Sequence, residues 1–256
     1  MILTIARKEL RTLFNSPLAW FILSAVTLCL GFSFLQRLDD YLQMQAKLLQ
    51  LANPPGVTEL VAAPTVALAA AVFLFAVPLL AMRMLAEERR QQTLTRLLSA
   101  PVSITEIVLG KFCGLMMMLL FIVAIVISMP IMIMGTTPLD WGLLASMATA
   151  LILLGAGFAA VSLYASSLTR QPIVAALLGF GMILIMLLAG ETLGDNLDQY
   201  GWPYLAALVQ VFSPLLNFEP LGKGLIDSYA ISCGLLLMTL FLILTIRELD
   251  RQRLRG

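Results

Sequence analysis

The chain alternates between long apolar runs and shorter polar segments. Six runs of 18 to 23 residues contain no Asp, Glu, Lys or Arg, and they cover residues 18–35, 64–82, 112–134, 141–163, 173–190 and 229–246. A helix needs about 20 apolar residues to cross the hydrocarbon core of a bilayer, whereas a barrel strand would need only about 10 residues of alternating polarity. The pattern therefore predicts an all-α polytopic membrane protein with six transmembrane helices.

Composition agrees with this interpretation. Of the 256 residues, 60% are apolar and 12% are charged, compared with roughly 25% charged in a typical soluble domain. Six such runs without a polar face would leave a soluble fold with no surface for water. The chain has no histidine and its three cysteines lie in or beside the runs, so neither a metal site nor a disulfide framework is predicted.

The basic residues indicate an orientation. With six spans both ends of the chain lie on one side, and that side holds 13 of the 16 Lys and Arg residues. Basic residues accumulate on the cytoplasmic side of bacterial membranes, so both termini are predicted to be cytoplasmic. The first apolar run is long for a secretory signal and no small-residue cleavage site follows it, so we expect it to remain as an anchor.

The first fifteen residues carry an amphipathic pattern. Leu3, Ala6, Leu10, Leu13 and Phe14 share one helical face of "ILTIARKELRTLF". The charged residues of this segment are Arg7, Lys8, Glu9 and Arg11, and its basic residues lie away from the apolar face. We expect residues 1–15 to form an elbow helix in the inner membrane interface, with an ordinary positively charged flank as the alternative.

Two segments are predicted to lie outside. Residues 36–63 are expected to form a polar loop with a turn at "NPPG". Residues 191–228 contain apolar pieces of about 10 residues, which is too short for a span, so they predict interfacial or re-entrant helices before the sixth span. Ser213 followed by Pro214 is typical of the start of a helix.

Polar residues inside the runs are nearly all Ser and Thr. Carriers coupled to protons or sodium usually place an ionisable side chain near the midplane, so this class is disfavoured. Small residues four apart, such as Gly155 and Ala159, indicate close helix packing.

A charged segment, residues 83–111, separates the second and third runs and predicts a helical hairpin in the cytoplasm. Met84 to Leu98 can extend the second helix, and "SAP" then breaks it. Ser103 and Glu106 have the spacing of a capping box, so a new helix should begin at Ile104. The predicted docking surface for a protein partner is the tip of this hairpin, Leu94, Thr95, Leu97, Leu98, Ser99 and Pro101. The alternative is a hairpin that folds back on the chain's own helices or on lipid.

The stem of the hairpin carries four consecutive charges, Glu87, Glu88, Arg89 and Arg90. Its two glutamates lie near the membrane, where we expect them to pair with Arg7, Lys8 or Arg11 of the elbow helix. Exposed pairs of this kind contribute only about 0 to 1 kcal/mol each.

The stretch "EERRQQTLTRLLSAPVSITEIVLGKF" resembles the membrane-subunit signature of ABC-2 type exporters. "ARKELRTLFNSPLAWFIL" resembles the elbow helix and first span of that family, "YASSLTRQPIVA" its fourth-to-fifth loop, and "FEPLGKGLIDS" the approach to its last span. These blocks are most similar to the gliding-motility-associated permease branch. The resemblance implies one ABC-2 transmembrane domain over residues 1–256, which acts as the permease subunit of an exporter in the bacterial inner membrane.

The resemblance also implies partners. They are an ATP-binding subunit, which would hold ATP and Mg²⁺, and a second permease copy or a related membrane subunit, with membrane lipid around them. No G-x-x-x-x-G-K-[ST] loop occurs in the chain, so it is not expected to hydrolyse ATP itself or to hold a cofactor, and no nucleic-acid partner is expected.

Other classes remain open at this point. One alternative is a complex that transmits ATP-driven motion to a periplasmic partner without transport. Another is an energy-independent channel or carrier, which would not need a docking hairpin. An intramembrane enzyme would need a cluster of acidic or nucleophilic residues. The substrate is not predicted.

Overall fold

The computed structural model describes residues 1–48, 55–92, 103–133, 139–193, 202, 204 and 209–253, and within these ranges it contains helices and no strand. The helices, in chain order, are α1 (Ile2–Phe14), α2 (Pro17–Leu48), α3 (Ala63–Ala81), α4 (Arg83–Arg90), α5 (Ile104–Ile131), α6 (Trp141–Leu168), α7 (Pro172–Leu188), α8 (Pro214–Gly222) and α9 (Ser228–Arg253). Two π-helical turns, Thr58–Ala62 and Ala189–Leu193, precede α3 and follow α7.

Five helical segments among the described residues are long and apolar enough to cross a membrane. They are Pro17–Gln45, Thr58–Arg90, Ile104–Ile131, Trp141–Leu168 and Ser228–Arg253. The remaining predicted span coincides with α7, which has 17 residues and a length of about 25 Å at 1.5 Å per residue. The chain is thus a multi-pass membrane protein, and the count of six spans stays a prediction.

Helix α2 is longer than its apolar run. It continues to Leu48, so the prediction of a loop from residue 36 onward is wrong for its first part. Residues 36–48 contain neither Gly nor Pro, and Gln43 Nε2 donates to Asp39 Oδ2 one turn earlier at 2.9 Å. These features favour continuation of a helix over a turn.

Helix α6 lies at the centre of the bundle, with most of its surface buried. A Cβ at Gly155 would lie 3.2 Å from the ring of Phe73 in α3, and one at Gly157 would lie 3.0 Å from Leu237 in α9. Both neighbouring helices therefore pack close to the α6 backbone, as the small residues of this run predicted.

The second helix does not run continuously into the charged stem. It is interrupted at one residue, Met82, and resumes as α4, which ends at Arg90. The predicted extension from Met84 is therefore found as far as Arg90, and residues 93–98 lie outside the described residues. At the break, the backbone N–H groups of Leu85 and Ala86 donate to Ser166 Oγ of α6 at 3.2 and 3.1 Å. The Ser166 hydroxyl in turn donates to the Met82 carbonyl at 3.1 Å. A side chain from another helix thus takes the place of part of the helical ladder.

Two predicted helix starts are confirmed. Ser103 accepts from the backbone N–H of Glu106, and the Glu106 carboxylate accepts from the Ser103 N–H, so the capping box that begins α5 is complete. Helix α8 begins directly after Ser213, and Ser146 Oγ of α6 donates to the Leu221 carbonyl at its end at 2.6 Å. Helix α8 is therefore fixed to α6 at one end.

Candidate functional site

Helix α1 lies directly against the first turns of α5, and two glycines make this contact possible. A Cβ at Gly110 would lie 2.7 Å from Ile5 Cβ, and one at Gly114 would lie 2.8 Å from Glu9 Cβ and 3.1 Å from the Ala6 carbonyl. Side chains at these two positions would collide with α1. The glycines, four residues apart, therefore let the two backbones approach closely.

Lys111 lies between these glycines and is buried. Its side chain is 1% exposed, and its Nζ donates to Glu9 Oε1 of α1 at 3.0 Å and to Glu88 Oε1 of α4 at 2.7 Å. Three segments that are far apart in the sequence therefore meet at one ammonium group. We call Lys8, Glu9, Glu88 and Lys111 the charge cluster.

Lys8 completes the charge cluster from its exposed side. Its Nζ lies 3.3 Å from Glu9 Oε1 and 3.5 Å from Glu88 Oε1. Partial burial disfavours the charged form, but the two carboxylates outweigh this effect and raise the pKa of Lys8 above its ordinary value. Lys8 therefore remains cationic at neutral pH.

The charges of the cluster sum to zero, with two cations and two anions. Removal of a charge from water costs several kcal/mol, and a buried pair recovers that cost only with close partners. Lys111 has two such partners. Loss of one partner from a buried pair costs about 3 to 5 kcal/mol, because the other charge is left uncompensated. Helices α1, α4 and α5 are therefore tied together at this point.

The predicted site residues occupy different environments. Glu9 is buried and Glu88 is largely buried, whereas Arg7, Arg11 and Arg90 are exposed. Glu87 Oε1 accepts from Nε2 of Gln91, the residue that follows α4, at 2.8 Å, and Arg89 is half-buried. The six residues of the predicted docking tip, Leu94, Thr95, Leu97, Leu98, Ser99 and Pro101, lie outside the described residues.

The expectation of weak, exposed pairs between stem and elbow needs correction. Glu88 does contact Lys8, but its shorter contact is to the buried Lys111. The sequence analysis included Lys111 only in the "GKF" of the family signature and predicted no ion pair for it. The signal that could have revealed it is the spacing of "GKFCG". A lysine between two glycines one turn apart lies on or beside the face where another helix approaches.

The chain is a polytopic α-helical membrane protein, because its helices of membrane-spanning length pack around α6. The family follows from comparison with known sequences, in which the profile of the ABC-2 family transporter proteins matches residues 3–246. The chain belongs to this family, whose members are membrane permease subunits of ABC transporters and normally work with an ATP-binding subunit. No curated protein matches the chain.

Proposed function

We propose that the chain is the membrane permease subunit of an ATP-driven exporter, and that its charge cluster couples a separate ATP-binding subunit to the membrane helices. The observation that carries the proposal is the buried Lys111 ammonium, held by Glu9 of α1 and Glu88 of α4. The cluster thereby joins the N-terminal helix, the stem and the first turns of α5.

The position of the cluster relative to the docking tip supports this role. Helix α4 ends at Arg90 and α5 begins at Ile104, so Glu88 and Lys111 lie on the two helices that would form the limbs of the proposed hairpin. A partner that pushes on Leu94, Leu97 and Leu98 would move both limbs. Separation of the two limbs would expose the buried charges or leave them without partners. The two limbs therefore move as one body together with α1.

The orientation is part of the same proposal. We place both termini on the cytoplasmic side of a bacterial inner membrane, because 13 of the 16 basic residues then lie on that side. This arrangement counts α7 as the fifth of the six spans. Assembly with a second copy or a related membrane subunit, the export direction and the gliding-motility branch rest on the sequence resemblance and remain predictions.

Two variants separate docking from coupling. Leu97→Ala with Leu98→Ala removes apolar area worth roughly 1.5 to 3 kcal/mol per fully buried side chain, so binding of the ATP-binding subunit in a pull-down should weaken by tens of fold or more. The triple variant Glu9→Gln, Glu88→Gln, Lys111→Met removes all charge from the buried centre while it keeps the side-chain sizes. It should bind the ATP-binding subunit as the wild type does, but its complex in nanodiscs should lose most of the ATPase stimulation.

Each result has an opposite that would refute one part of the proposal. Wild-type association by the leucine variant would refute docking at the tip. Wild-type ATPase stimulation by the triple variant would show that the cluster is only structural. Replacement of Glu87 and Glu88 by Lys is a poorer test, because Glu88 is a partner of the buried Lys111 and its replacement would put a second cation next to that lysine.

A further inference from the structure

Beside the charge cluster, a cavity of about 800 Å³ opens between α1, the start of α2 and the junction of α3 with α4. Ligand pockets in proteins commonly have volumes of about 300 to 1,000 Å³. We propose that this cavity binds the headgroup and glycerol region of an anionic phospholipid. The inference goes beyond the proposed function and needs only that α2 and α3 cross the membrane.

The two halves of the cavity differ in chemistry. One wall is formed by Leu18 and Ala19, at the start of the first apolar run, and by Leu79 and Leu80, near the end of the second. The polar part of the lining comes from the residues Lys8, Glu9, Thr12, Ser16, Arg83, Glu87, Glu88, Arg90 and Gln91. The cavity therefore spans the boundary between the hydrocarbon core and the headgroup layer, where a phospholipid has its phosphate and ester groups.

Charge complementarity favours an anion. The lining carries three cations, Lys8, Arg83 and Arg90, and three anions, Glu9, Glu87 and Glu88. The buried Lys111 behind the lining pairs with Glu9 and Glu88, so lining and Lys111 together have one excess positive charge. Arg83 Nη1 donates to Ser16 Oγ at 3.3 Å and forms no ion pair with a carboxylate among the described residues. Basic pockets between transmembrane helices at the membrane surface are typical sites for anionic headgroups.

The exposed surface next to the cavity suits an acyl chain. Leu79 lines the cavity, and Phe75 lies one turn further along the same face of α3. Both side chains are substantially exposed, at 39% and 58%. An acyl chain attached to a headgroup at Arg83 would therefore run along apolar side chains into the hydrocarbon core. A soluble phosphate ester has no acyl chain and would make no use of this apolar surface.

The test is a native mass spectrometry titration of the purified full chain in detergent with phosphatidylglycerol and, separately, phosphatidylcholine. Phosphatidylglycerol should bind more tightly, and Arg83→Gln should weaken it by about fivefold, the effect of one basic residue near a membrane surface. Arg83→Lys keeps the charge and should stay within about twofold of the wild type. The matched control is Arg11→Gln, because Arg11 is an exposed cation of α1 that does not line the cavity.

Three results would overturn the proposal. They are equal affinity for the two lipids, an equal loss in Arg11→Gln and Arg83→Gln, and competition by glycerol 3-phosphate at the concentration of the lipid. The second would mean that basic residues attract anionic lipid without a site, and the third that the apolar wall contributes nothing. None of these measurements involves the ATP-binding subunit, so their outcome is independent of the proposed coupling.

Discussion

Lys8 and Lys111 contact the same two glutamates in different surroundings. The Lys8 side chain is 61% exposed and that of Lys111 is 1% exposed. Lys111→Met leaves two largely buried carboxylates with only the exposed Lys8 as a partner, so it should destabilise the protein by about 3 to 5 kcal/mol. Lys8→Met removes an exposed partner, which is worth about 0 to 1 kcal/mol. Thermal unfolding in one detergent should show a much larger fall in the midpoint for Lys111→Met.

The triple variant Glu9→Gln, Glu88→Gln, Lys111→Met is the control for this comparison. Replacement of a buried ion pair by hydrophobic residues of similar volume is often neutral or stabilising, and the two Gln side chains likewise leave no uncompensated charge in the buried centre. Its midpoint should therefore recover towards the wild type. Equal midpoints for Lys111→Met and Lys8→Met would contradict the burial of Lys111.

The glycines of α5 give a second prediction at this scale. The new Cβ in Gly114→Ala would lie 3.1 Å from the Ala6 carbonyl and 2.8 Å from Glu9 Cβ, so α1 must shift, at a cost of about 1 to 3 kcal/mol. Gly181→Ala is the matched control, because no described atom of a neighbouring residue lies within 4 Å of its Cβ position. The unfolding midpoint should fall only for Gly114→Ala. A fall of the same size in both would mean that helix propensity, and not the contact with α1, decides the effect.

The charge cluster marks the limit of prediction from single residues. Hydropathy put Lys111 correctly at the edge of the third apolar run, but burial of a lysine depends on partners 102 and 23 positions away in the sequence. The same holds for Glu9, which the helical pattern gave no reason to bury. Local patterns carry no information about such distant partners.

At the scale of elements, starts of helices were easier to predict than their continuations. The capping box of Ser103 and Glu106 and the start of α8 after Ser213 depend on neighbouring residues alone. The break at Met82 depends on Ser166, more than 80 positions away, and the pattern from Met84 onward is that of an uninterrupted helix.

Ser166 therefore has a testable effect on the stem. In Ser166→Ala, the N–H groups of Leu85 and Ala86 lose their acceptor in a buried environment, and each unsatisfied group costs about 1 to 3 kcal/mol. The stem should open more often. Hydrogen exchange of residues 82–90, measured by mass spectrometry in nanodiscs, should become faster.

Ser162 is the matched control, since it lies one turn earlier on α6 and its buried hydroxyl has no hydrogen-bond partner among the described residues. Ser162→Ala should leave exchange in the stem unchanged. If both variants accelerate exchange equally, the loss of a serine from α6 matters in itself, and the bonds across the break do not.

At the scale of the whole molecule, apolar run length predicted most of the helical architecture. Each run of 18 or more apolar residues lies mainly in a long helix or in α7. Run length did not predict how far helices extend beyond the hydrocarbon, because polar helix formers such as those of residues 36–48 continue a helix without a hydropathy signal. The six-span arrangement predicts that α7 crosses the membrane and that both ends of the chain lie on its cytoplasmic side.

The last prediction concerns that topology, and it compares two exposed positions at opposite ends of the proposed bundle. In a chain from which Cys29, Cys113 and Cys233 have been removed, Glu219→Cys in α8 should react with a membrane-impermeant maleimide added outside spheroplasts. Thr105→Cys, at the start of α5, should react only after permeabilisation, because the positive-inside distribution places that end in the cytoplasm. Glu219 and Thr105 are both exposed, so neither burial nor packing would hide the thiol. Leu221 would be uninformative, since it is 1% exposed. If Glu219→Cys reacts only after permeabilisation, α8 lies on the same side as Thr105 and the arrangement of six spans is wrong.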